Sequence, residues 1–160
     1  MRRTFACGVV LVVTITLCGC VASVRSVCSK DSKGRLVLDV HRTGAVAGLA
    51  TVAFWVDGET FSWRIENDGD GGKVSRFVYG VVPPEWMQDE PAQGRPPTAI
   101  PEDRVFYLET KYIAWTTFAP DPYTTETTDK FRIDRGGTVQ YLGKAIPGEG
   151  LKYRPAPENP

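Results

Sequence analysis

Excess charge of either sign is what this chain most plainly lacks. Its 160 residues carry 19 Lys plus Arg against 19 Asp plus Glu, and no basic run gathers on any segment. Without that electrostatic footprint, nucleic-acid binding is excluded. Histidine is almost missing too. His41 stands alone, so no His-rich zinc set can assemble, and any Ser-His-Asp triad would have to use it. No G-x-S-x-G places a nucleophile. No window sustains a helical period, no repeat recurs, and no apolar run reaches the roughly 20 residues of a membrane-spanning helix. These absences remove the common catalytic constellations. The expectation is a protein that is not an enzyme and holds no metal and no cofactor.

What is present starts at the N-terminus. Arg2 and Arg3 precede an apolar run from Phe5 to Leu17, interrupted by Thr14 and Thr16, and the run leads into Leu17-Cys18-Gly19-Cys20. That stretch resembles the lipobox of bacterial lipoproteins: an aliphatic residue, two small ones, then the modified cysteine. The resemblance covers the N-terminus alone. It implies that residues 1–19 are a cleaved signal peptide, that Cys20 takes a thioether-linked diacylglycerol, and that its freed amine is often acylated as well. Two or more acyl chains anchor stably where one holds only marginally, at about 0.8 kcal/mol per buried CH₂. The implied location is the bacterial cell envelope, with the membrane as partner through the lipid on Cys20. Val21-Ala22-Ser23 offers an ordinary small-residue cleavage site as the alternative. Arg2-Arg3-Thr4-Phe5 faintly resembles a twin-arginine signal, but paired arginines begin many export signals, and Sec export is expected. In Gram-negative lipoproteins an Asp after the cysteine resembles a retention signal. Val21 stands there instead, which implies the outer membrane, facing the periplasm.

Removing the signal changes the composition. About 140 residues remain, enough for one domain with a real core. Lys plus Arg falls from 19 to 17 as Arg2 and Arg3 leave, against 19 Asp plus Glu, so the mature net charge is −2. Cys7 and Cys18 leave as well and Cys20 is committed to lipid, so Cys28 has no intrachain partner. It is expected as a small apolar residue or, alternatively, as an intermolecular pair. Packing must hold the fold.

Residues 20–33 read as the lipidated terminus and a tether, with Val24 to Cys28 as an optional edge strand. The domain proper is 34–146. Arg35 to Arg42 alternates Leu36, Leu38 and Val40 against Val37, Asp39 and His41. Ala50 to Val56 is almost wholly apolar, as a strand covered on both faces must be. Asp57-Gly58 signals a hairpin, and the return strand Glu59 to Glu66 places Phe61, Trp63 and Ile65 on one face. Further strands are expected at Lys73 to Val82, Arg104 to Thr110, Lys111 to Phe118, Thr125 to Asp134 and Thr138 to Leu142. The fold class is all-β: an antiparallel β-sandwich, immunoglobulin-like, with seven or eight short strands, although the Cys…Trp…Cys pattern is absent. A small closed barrel is the alternative. Residues 147–160 form a Pro-rich tail expected to fray.

Pro83 to Asp103 holds Pro83, Pro84, Pro91, Pro96, Pro97 and Pro101, which cannot sit in central sheet. A long stiffened loop of this kind is a candidate functional surface. Trp86 and Met87 inside it are the candidate partner-binding residues, toward an envelope protein. Trp86 has a competing reading, as a cap folded onto one end of the sandwich. A second function class uses Trp55, Trp115 and Tyr123 as an aromatic platform for envelope polysaccharide or peptidoglycan. A third, a periplasmic hydrolase or an inhibitor of one, would need carboxylates such as Glu85 with Asp89, or Glu102 with Asp103. The acidic turn 67–72 approximates a calcium loop from Glu66, but Phe77 occupies the twelfth position, where a bidentate Glu is required. Gly71-Gly72-Lys73 is followed by Val74, not by the Ser or Thr that a phosphate loop uses to hold magnesium. Both segments read as hairpin turn.

Overall fold

The computed structural model describes residues 22–67, 72–115 and 121–152. The expected signal segment, Cys20, positions 68–71 of the acidic turn, residues 116–120 and the last eight residues of the tail lie outside them. Among the described residues there are nine strands and no helix: β1 (Ser23–Lys30), β2 (Leu36–Thr43), β3 (Val46–Val56), β4 (Phe61–Asn67), β5 (Arg76–Val78), β6 (Trp86–Glu90), β7 (Val105–Ala114), β8 (Tyr123–Ile133) and β9 (Val139–Ala145). Every strand pair is antiparallel. They form two open sheets, β1-β2-β5 and β6-β4-β3-β7-β8-β9. Both sheets keep free edges, so the architecture is a β-sandwich and not a closed barrel.

Alternation builds the core directly. Val24 and Cys28 of β1, Leu36, Leu38 and Val40 of β2, and Phe77 of β5 face Val52, Phe54 and Val56 of β3, Trp63 and Ile65 of β4, and Phe106 and Leu108 of β7. Each such aliphatic or Phe side chain contributes about 1.5–3 kcal/mol by leaving water. β3 lies between β4 and β7, and its second half is buried on both faces, as its unbroken apolar run requires. On the outer face Ala53 and Trp55 pack with Tyr107 and the partly buried Phe61 and Leu151. The chain after β9 covers this patch. Trp55 Nε1 donates to the Glu149 carbonyl at 2.9 Å, the Gly58 amide donates to the Gly150 carbonyl at 2.7 Å, and the Lys152 amide to the Glu59 carbonyl at 2.8 Å. Gly150 adopts φ 70, and a Cβ there would stand 2.4 Å from the Tyr107 ring. Only glycine fits this crossing.

Several expectations change. Most of the tether is sheet: β1 pairs with β2 along its whole length, from Ser23↔Thr43 to Lys30↔Leu36. The tail through Lys152 is docked, not frayed. Within the proline segment, β6 pairs with β4. It can do so because its prolines lie outside the strand and an edge strand needs a ladder on one side only. The expected strand 73–82 shortens to the three residues of β5, since Tyr79 and Gly80 (φ 80) turn the chain. Over the described part of 104–118 there is one long strand, β7, in place of two. A β-bulge explains the fate of Phe61. Phe54 pairs with Trp63 while Trp55 pairs with Phe61, so one extra residue in β4 moves Phe61 to the outer face. There it meets Trp55 edge-on, with ring centroids 5.5 Å apart.

Candidate functional site

The two long sides of the sandwich are closed to different degrees. On one side β5 and β6 face each other, and Trp86 is drawn inward against Phe77, with ring centroids 5.1 Å apart at 79°. Gly72 lies flat on the same indole, where a Cβ would be 2.5 Å from the ring. Trp86 is only 6 % exposed and Met87 is 51 % exposed. Trp86 therefore caps the core, with nearly all of its ring buried. Of the two partner-binding candidates, Met87 alone remains at the surface.

On the other side β1 lies over β8 and β9 and leaves a cleft of about 550 Å³, lined by Val24, Ser26, Cys28, Asp129, Phe131, Val139, Tyr141 and Lys144 among others. Strand alternation aims these groups. Val24, Ser26 and Cys28 are the inward residues of β1, while Asp129 shares the inner face of β8 with Phe131 and Ile133. The bulge between Lys130 and Phe131 sets Tyr141 of β9 opposite Phe131. One wall of the cleft is thus apolar, and its floor is polar.

Asp129 is the centre of that floor. It is 1 % exposed. Its Oδ1 accepts from Lys144 Nζ at 2.8 Å and from the Tyr141 hydroxyl at 3.2 Å. Lys144 Nζ also donates to Thr127 Oγ1 at 2.7 Å. Oδ2 is buried and has no hydrogen-bond partner, a costly arrangement for a carboxylate oxygen. Trp63 Nε1 and Thr128 Oγ1 are also buried without partners, but neither lines the cleft. Across the floor Ser26 Oγ lies 3.4 Å from Thr110 Oγ1.

Burial, and after it the charges of Asp129 and Asp39, push the Cys28 thiol well above its ordinary range. Cys28 therefore stays protonated and is no nucleophile. It is free and buried, so it cannot meet a second molecule while the domain is folded. Burial, then the charge and hydrogen bond of Asp129, likewise raise Tyr141. The cleft thus sets one unpaired acceptor, a cation held at Asp129 and a protonated thiol beside apolar walls.

The remaining candidates scatter. His41 is exposed on the outer face of β2. Asp89 faces Arg64 at 3.4 Å, and Asp103 pairs with Arg135 at 2.5 Å, so neither loop carboxylate joins a second one in a pocket. Trp55 is fully buried, which takes it out of any aromatic platform. Trp115 and Tyr123 are 47 % and 40 % exposed. Among the described residues no group of three His, Cys, Asp or Glu side chains could hold a metal ion. Cys20 and most of the acidic turn lie outside the described residues.

Sequence reasoning passed over Asp129. Its signal was legible: a lone charge at an inward position of an alternating strand, two residues before Phe131 and four before Ile133. Compared with known proteins, the chain matches no family model, no curated sequence and no solved structure.

Proposed function

We propose that the chain is a lipid-anchored, non-enzymatic binding module of the bacterial cell envelope. It is held to the membrane through Cys20 and presents the cleft between β1 and β8–β9 to an envelope partner. The observation that carries the reading is where folded structure begins. Ala22 is already buried and β1 starts at Ser23, three residues after Cys20. A cysteine in that place attaches the whole domain to lipid with almost no slack. The cleft supports the binding half of the reading, because an unpaired buried carboxylate oxygen beside Val24, Phe131 and Val139 fits a ligand with a donor head group and an apolar body. With Val21 after the anchor, the destination in a Gram-negative host is the outer membrane.

Substituting Cys20→Ala tests the anchor. The variant should keep its signal segment, lose metabolic palmitate labelling and leave the membrane fraction. Normal maturation with full membrane retention overturns the reading.

A further inference from the structure

We infer that one end of the sandwich docks on the bilayer surface through Trp115 and Tyr123, so that the domain stands on the membrane in a fixed orientation. The inference rests on the anchor at Cys20. Strand register places the two rings beside the anchored terminus. Ser23 pairs with Thr43, and their hydroxyls lie 2.6 Å apart. Two residues on, the Ala45 carbonyl accepts from the Trp115 amide at 2.9 Å. Val46 pairs with Ala114, and Ala114 with Tyr123. Ser23, Thr43, Ala45, Trp115 and Tyr123 thus share one end of the molecule.

The occupant follows from the length of chain outside the structure. Cys20 and Ser23 are separated by three Cα steps, a reach of at most about 11 Å. β1 has eight residues and is about 26 Å long at the usual strand rise. A lipid on Cys20 can therefore bring only the Ser23 end of the domain to the bilayer. Among the described residues, the exposed large side chains at that end are two aromatics with polar tips, Trp115 and Tyr123, the kind that settles at the headgroup level. The exposed charges closest to Tyr123 in sequence, Asp121 and Glu126, are both acidic. The contact is therefore one of rings with lipid, and anionic headgroups are not required.

The four tryptophans provide the readout. Trp55 and Trp63 are fully buried, Trp86 is 6 % exposed and Trp115 is 47 % exposed. Full-length lipidated protein is reconstituted on phosphatidylcholine vesicles with plain or brominated acyl chains, collected by flotation, and its tryptophan emission compared. Bromine should quench about half or more of the Trp115 emission, and Trp115→Phe should abolish the bromine response without changing flotation. The quenching should persist at high salt. Flotation without bromine quenching, with Trp115 still open to aqueous acrylamide, overturns the docking and leaves the anchor standing. Failure to float overturns both.

Discussion

Between β5 and β6 the sandwich is closed by aromatic rings, whereas between β1 and β9 it stays open over polar groups. The same alternating strand chemistry made both sides. On the sealed side large rings fill the inward positions nearest the core, Phe77, Trp86, Trp63 and the partly buried Tyr79, with the half-buried Gln88 beyond Trp86 on the same face of β6. Phe54, Trp63 and Tyr79 pack ring to ring, with centroids 5.3–5.8 Å apart. On the open side the inward positions include Ser26, Cys28 and Asp129, with Tyr141 and Lys144 at the rim. A domain without disulfides needs its packing, so it can leave one side poorly filled only if the other is filled well. The sealed side carries stability. The open side gives some of it up, as functional sites commonly do.

Substitutions on the sealed side should have the largest effect. Trp86→Ala removes the cap and opens a cavity against Phe77, with an expected loss of about 3–5 kcal/mol. Gly72→Ala drives a methyl into the same indole and should cost about 1–3 kcal/mol. Urea unfolding of each variant checks both, and a Trp86→Ala protein as stable as the parent would remove the distinction between the two sides.

On the open side the sign should differ. Asp129→Leu keeps volume and removes a buried oxygen without a partner. It strands no buried charge, because the Lys144 side chain is 56 % exposed. Stability should stay within about 1 kcal/mol of the parent or rise. The same substitution should abolish the NMR shifts that decylamine, an amine head on an apolar chain, induces at Ser26 and Tyr141 in the parent. A loss comparable to that of Trp86→Ala would make Asp129 a structural residue and not a binding one.

The smallest effect is kinetic. Alkylation of Cys28, followed by mass spectrometry of its peptide, should be slow at pH 8 and keep climbing with pH above 9.0, the ordinary thiol value, where an exposed thiol levels off. The direction follows from linkage. The folded thiol ionises later than the unfolded one, so the stability it contributes is fully present below pH 9.0 and lost as pH rises beyond it. A profile that levels off near pH 9 would show that the open side admits water to Cys28.

Much of this protein was legible in its residues. The alternation of Leu36, Leu38 and Val40, the apolar run ending at Val56 and the Asp57-Gly58 turn each express a constraint between neighbours a few positions apart. Other features depend on partners far along the chain. Phe61 changed faces because of a bulge against Trp55. Trp86 became a cap because Phe77 and Gly72 were there to receive it. Ser26 meets Thr110 from 84 positions away, and Asp129 came to line a cleft only because β1 lies over β8 and β9. Strand chemistry and turns were set locally by the sequence. Which inward groups are sealed and which face a cleft was decided by tertiary structure, because burial depends on what the opposing sheet brings to the same place.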